Sequence, residues 1–188
     1  MQFEPTDLEG AWLIRPDRIE DERGFFARAW CEQEFQNHGL NSQLLQCNIS
    51  HNNVAGTLRG MHWQAEPHGE VKLVRCTHGA IFDVIVDVRP DSSTFALWQG
   101  FQLSATNRHM LYIPEGFAHG FITLEDNSEV FYQMSELYVA GKARGIHWAD
   151  QTLAIDWPYD VRVVSDRDEQ LPDLAQAMSK EATDRRVA

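Results

Sequence analysis

Short apolar segments separated by turn residues dominate the middle of this 188-residue chain. They are rich in β-branched and aromatic side chains, and Gly, Pro, Asn or Asp stands between them, as is typical of a β-sandwich or β-barrel. The predicted strands are residues 71–76, 80–88, 96–103, 109–113, 119–124 and 129–135. Helical patterns flank them at 31–40, where Gly39 is the expected C-cap, and at 172–182. This order of segments predicts an all-β fold with short flanking helices.

The segment AIFDVIVDV, residues 80–88, predicts polar groups inside the fold. Its strict alternation places Asp83 and Asp87 on one face, while the opposite face is entirely apolar. Lys72 and Arg75 lie on a neighbouring predicted strand that is also too apolar to face solvent. Because charges held in the mouth of a barrel are rarely there for packing, we expect a functional site among them.

Composition limits the partners of the chain. The chain has 16 basic and 28 acidic residues, which gives a formal net charge of −12. Nucleic acid is therefore not expected to bind, because like charges repel. A local cationic pocket could still hold an anionic small molecule. The three cysteines form no C-x-x-C pair, and an odd number is typical of free thiols in a reducing compartment. No apolar stretch approaches about 18 residues, and the start lacks a secretory pattern, so we expect a cytoplasmic protein with no membrane partner.

A histidine within LRGMHWQ, residues 58–64, is the main candidate for chemistry. His62 could be a packed core residue, a metal ligand or a base that removes a proton. Arg59, Gln64 and Lys72 lie close to it in sequence on adjacent predicted strands. Cationic and donor groups that converge on one cavity are what an anionic ligand requires, and this favours a binding or catalytic role.

The segment IPEGFAHGF, residues 113–121, resembles the second histidine motif of cupins. In that superfamily a first motif, H-x-H with a glutamate, completes a metal site. Here the corresponding residues are His62, Trp63 and Gln64, so the second imidazole is replaced by a carboxamide, a poor ligand for zinc or iron. Since Lys72 would also repel a cation, we expect no metal and no other cofactor. A metal-dependent cupin, such as an oxygenase or sugar isomerase, is the alternative.

Longer stretches carry a more specific resemblance. LRGMHWQ, VKLVRCTHGAIFDVIVDVRPDSSTF, WQGFQLSATNRHMLYIPEGFAHGFITL and GIHWADQTLAIDWP, together with RGFF and QCNIS, are similar to the dTDP-4-dehydrorhamnose 3,5-epimerase family. The resemblance implies a cupin-type jelly-roll barrel over residues 1–175, followed by a tail at 176–188. It also implies a metal-free, usually dimeric enzyme that inverts C3 and C5 of a nucleotide-linked 4-keto-6-deoxyhexose, although some members invert only one centre.

The resemblance assigns catalytic roles to four residues. His62 matches the base and Tyr132 the acid, while Lys72 matches the lysine beside the keto oxygen. This set is chemically sensible, because forming an enolate needs a base that titrates near neutral pH, an acid across the ring and positive charge at the ketone. Asp168 matches the carboxylate that orients the base, and Asp83 is the alternative for that role.

Other positions match contacts to a nucleotide-diphosphate sugar. These substrate-binding candidates are Arg23, Phe26, Gln46, Asn48, Arg59, His119, Tyr138 and Arg167. Arginine suits phosphate oxygens, and the aromatic rings suit stacking on a base. The family dimer implies a homodimer in which Arg23 or Gln46 reaches the neighbouring pocket.

The chain departs from the family pattern at three pocket positions. Arg28 and Ala143 stand where the family has glutamates, and Arg167 replaces a lysine. All three departures fall where the resemblance places nucleotide or outer-sugar contacts. The reaction type is therefore better supported than thymidine as the nucleoside, and a binding module without catalysis is a third hypothesis.

Overall fold

Antiparallel strands make up most of the ordered structure in the computed structural model, which describes residues 1–187 and side chains as far as residue 182. The strands are β1 (Gln2–Pro5), β2 (Trp12–Arg15), β3 (Arg18–Asp21), β4 (Gly24–Ala27), β5 (Gln46–Asn52), β6 (Leu58–Gln64), β7 (Lys72–His78), β8 (Ala80–Asp87), β9 (Trp98–Ser104), β10 (Met110–Ile113), β11 (Phe117–Thr123), β12 (Ser128–Met134) and β13 (Ala143–Gly145). The helices are α1 (Glu32–Asn37), α2 (Asp166–Glu169) and α3 (Leu174–Val187), with a 3-10 helix at Ala140–Lys142. Each of the six predicted strands is present as one of β7–β12, so the all-β prediction is confirmed.

Two large sheets enclose the main core. One has the strand order β1-β2-β10-β7-β12-β5 and the other β13-β6-β11-β8-β9, while β3 and β4 form a separate hairpin. Inward-facing side chains of both sheets, including Val74, Ile85, Leu111 and Val130, pack together and are almost fully buried. Burial of this apolar area from two sides holds the sheets face to face.

The outer face of β8 is also covered. Val84 and Val86 pack against Ile146 and Leu153 of the C-terminal segment and against Leu174 of α3. Both faces of β8 are therefore dry, and the polar residues on its inner face are fully buried rather than solvated. The predicted tail, which starts at residue 176, begins inside α3, where side chains such as Ala177 and Glu181 are buried.

Helix α1 covers the outer face of the first sheet. Phe35 is buried there against Ile14 and Leu73. The helix ends as expected, because Gly39 has φ +70° and its N–H reaches the Gln36 carbonyl, while the next N–H reaches that of Phe35. None of the helices described is long and apolar enough to cross a membrane.

Candidate active site

A cavity of about 420 Å³ opens inside the barrel. Strands β5, β6, β7, β11 and β12 and helix α2 supply its walls. An adjoining cavity of about 380 Å³ lies on the other side of His62, Lys72, Tyr132 and Arg167, which border both. We call these the first and second lobes. The first is lined by Ile49, Ser50, His51, Arg59, His119, Gly120, Phe121, Ser165 and Asp168, and the second by Gln46, Asn48, Trp63, Gln64, Glu70, Met134, Tyr138, Ala143 and Arg144.

A β-bulge in β6 turns two side chains toward the first lobe. Arg59 pairs with Phe121 and His62 with His119, so two residues of β6 oppose only Gly120 of β11. The extra residue changes the alternation of the strand, which allows Arg59 and His62, three positions apart, to face the same cavity.

Two glycines make the bulge possible. A Cβ on Gly60, which has φ +119°, would lie 2.5 Å from the Cα of Gly120, and a Cβ on Gly120 would lie 2.7 Å from the Arg59 carbonyl oxygen. The backbones of β6 and β11 therefore approach too closely for any side chain here. Close approach at this point sets the position of both His62 and His119.

The ring of His62 is held by Asp168. Its Nε2 lies 2.7 Å from Asp168 Oδ1, and the other carboxylate oxygen accepts the Gly60 N–H at 3.1 Å. The Asp168 backbone N–H in turn donates to the N-cap Ser165 Oγ, which fixes the start of α2. With Nε2–H donated to the carboxylate, Nδ1 keeps its lone pair. Asp168, and not Asp83, makes this contact.

Neighbouring hydrogen-bond donors and positive charges keep the Asp168 carboxylate ionised. Burial would raise the pKa of its carboxyl, but the hydrogen bond and charge of His62, the Gly60 N–H and the charge of Arg167 together hold that pKa below its ordinary value. An ionised carboxylate stabilises the positive charge that the imidazole gains when it takes a proton.

The ammonium of Lys72 has two protein partners. Its Nζ lies 2.9 Å from Glu70 Oε1 and donates to the His62 carbonyl at 3.2 Å. The Asp83 carboxylate has a different partner, because its Oδ1 lies 2.8 Å from Nε2 of His119. The site therefore contains two separate histidine–aspartate pairs and one lysine–glutamate pair.

Tyr132 lies on β12 between β7 and β5 and is partly buried. Burial raises the pKa of its phenol, the charge of Glu70 acts in the same direction, and the charge of Arg59 opposes them. The phenol is therefore protonated at neutral pH and can donate a proton. Its hydroxyl has no hydrogen-bond partner among the described side chains, so it is free to meet a ligand.

Most of the substrate-binding candidates surround the two lobes. Arg59 donates through Nε to Asn52 Oδ1 at 2.7 Å, which leaves the terminal nitrogens of its guanidinium for other acceptors. In the second lobe, Gln46 and Asn48 each donate to the Met134 sulfur at 3.3 Å. The side-chain oxygen Oε1 of Gln46 also accepts the backbone N–H of Tyr138. His119, Arg167 and Tyr138 complete the predicted residues that border the two lobes.

Two candidates lie outside both lobes of their own chain. Arg23 and Phe26 are on the β3–β4 hairpin, where the Arg23 side chain is 85% exposed and Phe26 is 69% exposed. Arg23 pairs there with Asp21. Among the departures from the family pattern, Arg28 pairs with Glu34 at 2.9 Å, and Ala143 lines the second lobe without offering a charge.

Several site residues were not predicted as such from the sequence. Glu70 is one of these, although its spacing of two residues from Lys72 on an extended segment was a usable signal. The serine of Ser165-x-x-Asp168 is a recognisable helix cap. Asn52 carried no comparable signal, because its role depends on a contact with Arg59 across the barrel.

The residues expected at a cupin metal site are engaged otherwise. The amide of Gln64 donates to the carbonyls of His68 and Leu137 and accepts from the Val139 N–H. His119 is bound to Asp83. Within the part of the chain that the structure describes, no group of three or more His, Cys, Asp or Glu could hold a metal ion.

Comparisons with known proteins show which family the sequence resembles. The family model for dTDP-4-dehydrorhamnose 3,5-epimerase matches residues 5–176. The dTDP-4-dehydrorhamnose 3,5-epimerase of Methanothermobacter thermautotrophicus is 44% identical over 171 residues, which cover 89% of this chain and 91% of that protein.

Solved structures give the same result. The Mycobacterium tuberculosis rmlC epimerase has a TM-score of 0.92 at 36% identity, covering 98% of this chain and 97% of that one. The Legionella pneumophila dTDP-6-deoxy-D-glucose-3,5-epimerase, solved in complex with dTDP-4-keto-L-rhamnose, has a TM-score of 0.90 at 34% identity and covers 96% of each chain. These likenesses confirm the predicted cupin-type barrel, and the chain belongs to the dTDP-4-dehydrorhamnose 3,5-epimerase family.

Proposed function

We propose that this protein is an epimerase that inverts C3, C5 or both in a nucleotide-linked 4-keto-6-deoxy sugar, a step of deoxysugar biosynthesis. One observation carries the proposal. His62, oriented by Asp168, and the protonated Tyr132 border the same cavity, with the Lys72 ammonium beside them. Family membership supports the same reaction.

The chemistry follows from the acidity of carbons next to a ketone. Nδ1 of His62 takes the proton from C3 or C5, and the electrons of the broken C–H bond move to the C4 oxygen to form an enolate. Tyr132 then gives a proton to the opposite face of the same carbon, and the C–H bond that forms has inverted configuration. Proton exchange with water resets both residues for the next turnover.

Lys72 stabilises the enolate in this proposal. The ammonium placed beside the C4 oxygen interacts more strongly with a full negative charge than with a ketone dipole, so it lowers the barrier to proton removal. The burial of Lys72 strengthens this effect, because charges interact more strongly when they are removed from bulk water.

The cationic groups at the lobes suit a nucleoside diphosphate. Arg59 and Arg167 can each present paired N–H groups to phosphate oxygens, despite the acidic net charge of the chain. The relative solved with dTDP-4-keto-L-rhamnose supports a dTDP sugar as the substrate. Because Ala143 lines the second lobe without a charge, where the family has a glutamate, comparison of dTDP, UDP and GDP sugars will identify the nucleotide.

Deuterium exchange tests the reaction directly. The enzyme is incubated in D2O with a dTDP-linked 4-keto-6-deoxyhexose, and NMR follows label at C3 and C5. Wild type should incorporate deuterium with inversion at one or both centres, and H62A should incorporate none. Y132F should retain exchange but lose most inversion, because the base can return a deuteron to the face it came from.

Y159F, a tyrosine change outside both lobes, is the control and should match wild type. Absence of exchange with saturating wild-type enzyme would refute the proposal for this substrate.

We also propose a cytoplasmic homodimer. The β3–β4 hairpin exposes Ile19 and Phe26, each 69% accessible, and Ile49 beside the first lobe is 65% exposed. Apolar surface of this kind is usually covered by a partner, and a second copy would place Arg23 and Phe26 near a cavity. Three cysteines without a disulfide suit the reducing cytoplasm.

A further inference from the structure

Glu70 lies two residues before Lys72 on the same extended segment. Residues with this spacing point to the same side, which is the cavity side here. Val71 between them is fixed to Ser135 by two hydrogen bonds, one from its N–H to the serine Oγ at 2.8 Å and one to its carbonyl from the serine N–H at 3.0 Å. The backbone that carries Glu70 and Lys72 is therefore rigidly placed.

The pair is deeply buried. Glu70 is 8% exposed and Lys72 is 7% exposed, with 2.9 Å between Oε1 and Nζ. An ammonium has three N–H donors, and here the second goes to the His62 carbonyl. The third has no acceptor among the described side chains and backbone, although Lys72 borders both lobes. One donor is thus left for a ligand.

Glu70 makes no other hydrogen bond or ion pair within the described part of the chain. Its second oxygen is buried and has no hydrogen-bond partner within the described part of the chain, so Lys72 is its only partner. A buried ion pair contributes little to stability compared with apolar residues of the same size, because both charges lose their hydration. Stability alone therefore does not explain a carboxylate at this position.

We propose that Glu70 is a positioning residue that holds the Lys72 ammonium with one N–H directed at the C4 oxygen of the substrate, an inference that rests on the proposed epimerase function. Lysine has a flexible four-carbon stem, and an untethered ammonium would sample many positions. Because the enolate is stabilised only when a donor is already in place, loss of the tether should slow the chemical step more than it weakens binding.

Kinetics of three variants test the assignment. E70A removes the acceptor, E70Q retains a carbonyl oxygen for Nζ, and E66A removes an exposed carboxylate from the same loop as a matched control. With a dTDP-linked 4-keto-6-deoxyhexose, E70A should lose roughly 10- to 100-fold in kcat with little change in KM. E70Q should recover most of this loss, and E66A should match wild type. An E70A enzyme within about twofold of wild type, or an E70Q enzyme as slow as E70A, would overturn the proposal.

A spectroscopic measurement needs no variant to be active. The chain has only three lysines, at positions 72, 142 and 180, so its side-chain ammonium spectrum is simple. In wild type, Lys72 should give a slowly exchanging 1H–15N ammonium signal that K72R removes, since the buried pair excludes water. The signal should broaden or vanish in E70A and persist in E70Q. If wild type shows no such signal, the tether does not exist.

The two proposals fail differently. If wild type shows no exchange at C3 or C5 while the ammonium signal is present, the proposed reaction is wrong for that substrate. If wild type exchanges normally and E70A does too, only the role of Glu70 is wrong.

Discussion

The Asp168 carboxylate connects two parts of the site. One oxygen binds the catalytic candidate His62, and the other binds the backbone of the β6 bulge at Gly60. The orientation of the imidazole and the local shape of its strand are consequently fixed by the same group. Since His62 and Asp168 are 106 residues apart, this contact could be expected from the family resemblance but could not be derived from either segment alone.

Replacing Asp168 with Asn should separate orientation from folding. The amide can still accept the Gly60 N–H, but its NH2 group would donate to Nε2 and shift the imidazole proton to Nδ1. We expect kcat to fall by about 100-fold or more, because the base then has the wrong tautomer. D166N, an exposed change in the same helix, should have no effect on deuterium exchange at C3 and C5.

The same variant should alter the pH dependence of stability. The pKa of Asp168 is lowered in the folded state, so its ionised form stabilises the protein above about pH 4, and this contribution is lost as the pH falls through the lowered pKa. The Tm difference between wild type and D168N should therefore be largest near neutral pH and shrink below about pH 4. A difference that stayed constant from pH 7 to pH 3 would contradict the ionised pairing.

At the scale of elements, the strand pattern was predictable and its irregularities were not. Segments 71–76 and 80–88 have the composition of strands, and both are strands in the structure. The bulge in β6 could not be predicted, because it depends on the close approach of Gly60 to Gly120 on another strand. The alternating pattern of β8 predicted correctly which face carries Asp83. It did not predict that both faces are buried, because the second face is covered by the C-terminal segment.

The close contact between Gly60 of β6 and Gly120 of β11, which we call the glycine crossing, gives a prediction at the scale of elements. G120A would place a Cβ 2.7 Å from the Arg59 carbonyl oxygen, so β6 and β11 must separate. We expect a loss of about 2 kcal/mol or more in the free energy of unfolding, together with a fall in kcat, because His62 and His119 flank the crossing. G141A, where nothing lies within 4 Å, should change stability by less than about 0.5 kcal/mol. Urea denaturation of both variants measures this, and equal stabilities would show that the crossing tolerates a side chain.

The whole molecule presents a nearly complete site and one detached element. The barrel brings the four catalytic candidates and most of the substrate-binding candidates to two joined lobes, whereas the β3–β4 hairpin carries Arg23 and Phe26 away from them. Arg18 fixes the hairpin base by donating to the carbonyls of Thr106 and Asn107. The family resemblance offered Arg23 or Gln46 as the residue that reaches a neighbouring pocket, but nothing in the residues themselves placed Arg23 and Phe26 outside both lobes of their own chain.

Mixing two inactive variants tests whether the hairpin serves a partner. H62A lacks the base in its own cavity, while R23A would lack the phosphate contact in the cavity of its partner. If Arg23 acts across a dimer, a heterodimer of the two variants has one intact site, formed by the R23A barrel and the H62A hairpin. Equal amounts that reassort freely should then restore activity in about a quarter of all sites.

If Arg23 instead acts within its own chain, neither site of the heterodimer is complete and mixing restores nothing. The dimer itself is measured by sedimentation equilibrium, which should give about twice the chain mass of 21.6 kDa for wild type and both variants. Mixing H62A with Y132F is the control, since both residues border one cavity of one chain, and heterodimers of that pair contain no intact site. Restoration by R23A together with its absence in this control would place the hairpin over the neighbouring barrel, because no arrangement within one chain produces that difference.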